Sequence, residues 1–131
     1  MNQIVTTGQL DKLDALLQQL PQTVLPLVHE FCDGLYARTI FMPADTIVTS
    51  QTHKCDSIAL VRYGLFKMTT DEGVQTFSTG DLMITKAGAR RALHIIEDTC
   101  FVTVHANPTN EQDPEELWSL FTNPQEKGEL S

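Results

Sequence analysis

In the stretch "SQTHKCDSIALVRYG", Ser50 to Gly64, a histidine and a cysteine stand two apart just ahead of an apolar run. Residues i and i+2 of a strand point to one face, with Cα atoms roughly 6–7 Å apart. On a regular strand, His53 and Cys55 could therefore converge on one ion. The run "TCFVTVH" offers a third donor, since Thr99, Phe101, Thr103 and His105 share a face. Such a donor set suits a single transition metal (zinc, iron, copper, nickel or manganese) better than magnesium or calcium. No fourth ligand is evident. Asp56 falls on the opposite face, and Glu97 and Asp98 stand in an expected turn. The competing reading is a metal-free pocket, because affinity rests on ligand count and geometry.

Arg90 and Arg91 suggest a different chemistry. On a regular strand one of them points inward, and a buried guanidinium needs a carboxylate or a bound anion. Glu97 and Asp56 are the candidate carboxylates. A pocket for a carboxylate or phosphate would draw on Arg90, Arg91, His94 and Glu97. The segment "HEFCD" is not the HExxH zinc pattern. It reads as one helix with Cys32 in the core and His29 and Asp33 on its surface. No nucleophile elbow, phosphate-binding loop or dinucleotide glycine fingerprint is present.

These residues need elements to hold them. In "GQLDKLDALLQQL", Leu10, Leu13, Leu16, Leu17 and Leu20 follow helical spacing up to Pro21. A second helix is expected over "TVLPLVHEFCDGLY", with Leu27, Val28, Phe31 and Leu35 on one face. The first 36 residues thus read as a helical segment. From Ala37 the texture changes to eight short β-rich runs separated by turn residues, Gly64 and Glu97-Asp98-Thr99 among them, which predicts antiparallel strands in a sandwich or barrel over 37–107. "TTDEGVQTF" is the clearest hairpin, with Gly73 free to take positive φ. Residues 108–131 read as a polar linker, a short helix and a polar, loose tail. In that helix Asp113 is the N-cap and Pro114 the first position, and Glu115 and Glu116 sit at the positive end of the dipole. Leu117, Trp118, Leu120 and Phe121 form its packing face. The whole is one α+β, mainly β, domain.

A jelly roll accommodates eight such strands, and the segment "GDLMITKAGARR" resembles the second glycine-bounded motif of the cupins. Gly80 opens it, Lys86-Ala87-Gly88 stands at its proline-x-glycine, and Arg91 falls where that motif has histidine. "THKCDSIALVRYG" resembles the first cupin motif, with His53 and Cys55 at its two histidines and Ile58, Ala59 and Leu60 where a glutamate is usual. The frame from Tyr36 to Asn107 is similar to small single-domain cupin-like proteins of tailed phages and bacteria. In those relatives the last strand ends in a histidine that matches His105. The resemblance implies a cupin-like double-sheet jelly-roll barrel and a homodimer. It implies little about activity, because one fold hosts many.

Composition sets the outer limits. The 131 residues are 41% hydrophobic and carry a formal net charge of −8. That charge opposes nucleic acid or an anionic membrane as the main partner. No apolar run approaches a membrane span, and the first residues show no secretory pattern. Three sparse cysteines are no disulfide framework and fit a reducing cytoplasm, as small buried hydrophobes. Three readings follow. The first is a non-catalytic binding module for a small polar or anionic ligand or a host protein. The second is a metal-dependent oxygenase or isomerase, and the third a structural protein with a packed barrel.

Overall fold

The computed structural model describes residues 7–17 and 25–122. Its order is α1 (Thr7–Leu17), β1 (Leu27–Cys32), β2 (Leu35–Met42), β3 (Ile47–Thr49), β4 (Ser57–Thr70), β5 (Gly73–Ser78), β6 (Leu82–Thr85), β7 (Ala92–Ala106) and α2 (Pro114–Phe121). All strand pairs are antiparallel. The long strands β4 and β7 run through both layers of the barrel. One layer is β1-β2-β7-β4-β6, built on the later part of β7 and the start of β4. The other is β3-β7-β4-β5, built on the start of β7 and the end of β4. Ile40, Val61, Phe66, Leu93, Ile95 and Phe101 fill the space between them.

The corner sits where β4 crosses from one layer to the other. The β4–β7 register shifts between Val61 and Phe66, the mark of bulges that bend a strand. Gly64, at φ +126°, lies inside this bend. Its N–H donates to Thr79 Oγ1 at 3.0 Å, and its carbonyl accepts from Thr79 N at 3.1 Å. Two breaks expected from the sequence are therefore continuous strand. Gly64 bends β4 without ending it, and Glu97-Asp98 lie within β7.

The second expected helix does not form over residues 27–36, so that part of the expected N-terminal helical segment is corrected. Leu27–Cys32 is strand β1, paired with β2 from Leu27↔Ile40 to Cys32↔Leu35. Asp33-Gly34 is a two-residue turn with Gly34 at φ +76°, and Asp-Gly is a strong hairpin signal. Alternation explains the outcome. His29 and Phe31 are half-buried, whereas Val28, Glu30 and Cys32 face solvent. Leu27 and Leu35, assigned to a helical core face, are 37% and 45% exposed. Cys32 and Cys55 are exposed and only Cys100 is buried, so one cysteine of three is a core residue.

Several expectations hold. The hairpin at Asp71-Glu72 pairs Thr70 with Gly73. Helix α1 forms with Leu10 buried, although Leu16 is 61% exposed. Leu20, Pro21 and the polar tail lie outside the described residues. Asp113 caps α2 by accepting from Glu115 N at 3.0 Å, with Pro114 at the first turn. Of its apolar residues, Leu117 and Phe121 are buried and Leu120 is exposed. Among the described residues no helix is long and apolar enough to cross a membrane.

Candidate functional site

Helix α2 lies across one mouth of the barrel. Leu117 and Phe121 pack on Tyr36, with Phe31 and Trp118 against them. Tyr36 pairs with His105 across β2–β7 and Arg38 pairs with Thr103. The His105 ring stacks on Phe121, with centroids 4.5 Å apart and planes 9° apart. Its Nε2 lies 3.0 Å from Thr103 Oγ1, while its buried Nδ1 has no hydrogen-bond partner. Trp118 meets both His53 and His105 edge-on. Burial, followed by the charges of His53 and Arg38, pushes the His105 pKa down to about 4. His105 is therefore neutral near pH 7.

The expected metal triad does not assemble. His53 is buried at 6% exposure, but Cys55 is exposed. The i, i+2 argument needs a strand, and residues 54–55 form a bend, with β4 beginning only at Ser57. The backbone around His53 is held by His53 N→Ala89 O at 2.9 Å, Gly88 N→His53 O at 2.7 Å and Lys54 N→Phe121 O at 2.7 Å. The inward face of β7 is as expected, with Thr99, Phe101, Thr103 and His105 all buried. Two histidines thus face the interior. Among the described residues no three His, Cys, Asp or Glu side chains are grouped to hold an ion. Arg91, at the third histidine position of the cupin motif, would add positive charge. The residues do not fit a transition metal, which needs three or four converging donors.

Nor do Arg90, Arg91, His94 and Glu97 form one pocket. Arg90 is the inward arginine. Its side chain is 6% exposed and pairs with Asp11 of α1, and its Nε donates to Ser50 O at 3.3 Å. The carboxylate it needs comes from the N-terminal helix, where no spacing argument could find it. Arg91 is half-buried and turns toward Met68. Burial lowers its pKa against the opposing charge of Asp71. His94 and Glu97 are exposed; His94 falls at an outward position of β7, and Glu97 lies opposite Leu65, where the β4–β7 register shifts.

A different group lines a cleft of about 420 Å³ between β1, β2 and α2, bounded by Leu27, His29, Tyr36, Arg38, Gln51, Pro114, Glu115, Trp118, Ser119 and Thr122. Arg38 is 5% exposed, and its guanidinium carbon lies 4.0 Å from the Trp118 ring centroid, a cation–π arrangement. The Tyr36 hydroxyl is 2.6 Å from His29 Nδ1. Partial burial lowers the His29 pKa and the Arg38 charge lowers it further. Burial raises the Tyr36 pKa, with Arg38 opposing. Thr122 Oγ1 lies 2.7 Å from Gln51 Oε1, closing the far wall. The helical reading of 23–36 hid this cleft. The usable signals were the Asp33-Gly34 turn and the alternation of Tyr36, Arg38 and Ile40.

A barrel of two antiparallel layers, fed by two long shared strands and closed by a helix, defines a cupin-like jelly roll, and solved structures agree. The Cupin_2 domain of an XRE family transcriptional regulator from Enterobacter cloacae matches with TM-score 0.56 at 13% identity, over 66% of this chain and 99% of that one. A point mutant of salicylate 1,2-dioxygenase from Pseudoaminobacter salicylatoxidans matches with TM-score 0.60 at 14% identity, over 88% of this chain and 35% of that one. The DMSP lyase DddQ from Ruegeria pomeroyi matches with TM-score 0.56 at 13% identity, over 67% and 49%. The chain thus spans about half the length of the lyase and a third of the dioxygenase. No protein-family model matches the chain, and no curated protein resembles it in sequence. These likenesses show the fold, which hosts both enzymes and regulators.

Proposed function

We propose that this chain is a non-catalytic, cupin-like binding module that holds a small carboxylate- or phosphate-bearing molecule in the cleft between β1, β2 and α2. The observation that carries the reading is Arg38. A permanent cation is fixed in the wall of a cleft lined otherwise by rings, hydroxyls, aliphatic carbon, the Gln51 amide and, on α2, the Glu115 carboxylate. A guanidinium is suited to carboxylate and phosphate oxygens, and the cleft volume lies within the range of small-molecule sites. The setting of His105 supports a non-catalytic reading, because the ring is buried, stacked on Phe121 and hydrogen-bonded to its own strand. A setting in a tailed phage, implied by the sequence resemblance, belongs to this reading. The test is thermal denaturation with acetate, benzoate, citrate, sulfate and phosphate. At least one anion should raise Tm by several degrees when about 100-fold above its Kd. Arg38→Met should abolish that rise. No rise with any of them would overturn the reading.

We further infer that two copies pair through the outer face of β1-β2-β7-β4-β6. The registers align Val28-Thr39-Val102-Leu60-Leu82 in one row and Glu30-Ala37-Val104-Ile58-Ile84 in the next. Ile58, Leu82 and Ile84 are 47%, 65% and 56% exposed. Five strands about five residues long present roughly 400 Å² in plan, at the upper end of what monomers expose. Side-chain relief and the rim bring this toward the ~800 Å² per partner of a stable interface. Glu30 lies on one edge, and Lys86 follows β6 at the other. A twofold axis along the strands would set each glutamate edge over the partner's lysine edge. Sedimentation equilibrium should give twice the chain mass, and Ile84→Lys should give the chain mass. A native monomer at tens of micromolar would refute the pairing.

A further inference from the structure

We infer that binding of an oxyanion in the Arg38 cleft is coupled to uptake of one proton, and that His29 is the group that takes it. The inference rests on the reading of the cleft as an anion site. Its starting point is a register. His29 and Arg38 are direct cross-strand partners on β1 and β2, and both line the cleft. Like charges at directly opposite positions repel. Arg38 is always charged, and its charge adds to burial in lowering the His29 pKa. An anion in the cleft opposes that effect and gives the imidazolium a counterion.

Tyr36 makes the switch easy. Its hydroxyl sits 2.6 Å from His29 Nδ1, and burial keeps it protonated. A hydroxyl both donates and accepts. It donates to Nδ1 of the neutral ring and, after rotating its proton away, accepts from Nδ1–H of the charged ring. One hydrogen bond thus serves both states. The remaining titratable groups around the cleft do not oppose the change. Glu115 on α2 lines the same cleft and its negative charge favours an imidazolium. His105, stacked on the Tyr36 ring, stays neutral above about pH 4. His53 lies beyond it, against Trp118. The proton comes from solvent and adds to His29 Nδ1, and no other bond changes.

Linkage makes the effect reciprocal: an anion that favours protonation of His29 binds better once His29 is protonated. The ligand class is therefore an oxyanion bound more tightly in mildly acidic solution. The experiment is isothermal titration calorimetry with benzoate and with sulfate, neither of which titrates between pH 5.5 and 7.5. Affinity of the probe that binds should fall about tenfold across that range. Heats in buffers of different ionisation enthalpy should report uptake of up to one proton per anion. His29→Gln should bind with no pH slope, and the His29 ring resonances of the native chain should titrate at higher pH when the probe is present. Binding by the native chain with no proton uptake, or a slope that survives His29→Gln, would overturn the inference and leave the anion site standing. Failure of both probes at every pH, or undiminished binding by Arg38→Met, would remove the site and the inference with it.

Discussion

Replacing Gly64 by alanine is expected to cost about 4 kcal/mol of stability and to lower Tm by more than about 10 °C. Two independent costs add at this residue. A Cβ on Gly64 would stand 2.2 Å from Thr99 Oγ1 and 2.6 Å from Thr99 Cα. No rotamer change relieves the second contact, because it is backbone. The φ of +126° also lies where side chains are strained. Neither strand can retreat, because β4 and β7 are paired on both sides of the bend. Gly34, Gly80 and Gly88 also have positive φ but open space around them, so alanine there carries only the backbone cost. Chemical denaturation of the four alanine variants checks the ranking. A Gly64→Ala chain as stable as the other three would show that the β4–β7 corner is not the tight point of the barrel.

Acidification is expected to weaken the native fold by about 3 kcal/mol through His105 alone. The sign follows from the two states. The His105 pKa is about 4 in the folded chain and about 6.5 when unfolded. Between these values the unfolded chain binds the extra proton, so stability rises with pH there. The contribution is complete above about pH 6.5, declines as pH falls and levels off below about pH 4. The physical cause is the loss of solvent around a ring pressed flat on Phe121, beside Arg38 and His53. Carboxylates also titrate in this range, so His105→Phe provides the comparison. It keeps the stack and removes the proton site. Urea midpoints of the native chain and the variant should converge or cross on going from pH 4.5 to pH 7, with the variant losing less in acid. Parallel pH profiles would contradict a buried, neutral His105.

Much of this molecule could be read in its residues. The barrel was legible because alternating β-rich runs separated by Gly, Asp and Pro have few other ways to bury one face. The cap of α2 was legible because Asp113, Pro114 and two glutamates act within a single turn. The inward face of β7 followed from a period of two. What failed depended on continuity or on distance. Gly64 and Glu97-Asp98 looked like turns, because a bulged strand and a broken one share the same residues, and only the β4–β7 pairing distinguishes them. His53 and Cys55 looked like partners, because the two-residue rule presumes a strand that the bend at 54–55 interrupts. Arg90 needed a carboxylate and found Asp11, 79 residues away along the chain. The cleft depended on a local choice between helix and strand and on long-range packing. Leu27–Cys32 is short and apolar enough for either, and pairing with β2 decides it. Composition and period determined the jelly roll. The place where Arg38, His29 and Tyr36 meet Trp118 was decided only by packing, because these side chains come from three elements that no local rule connects.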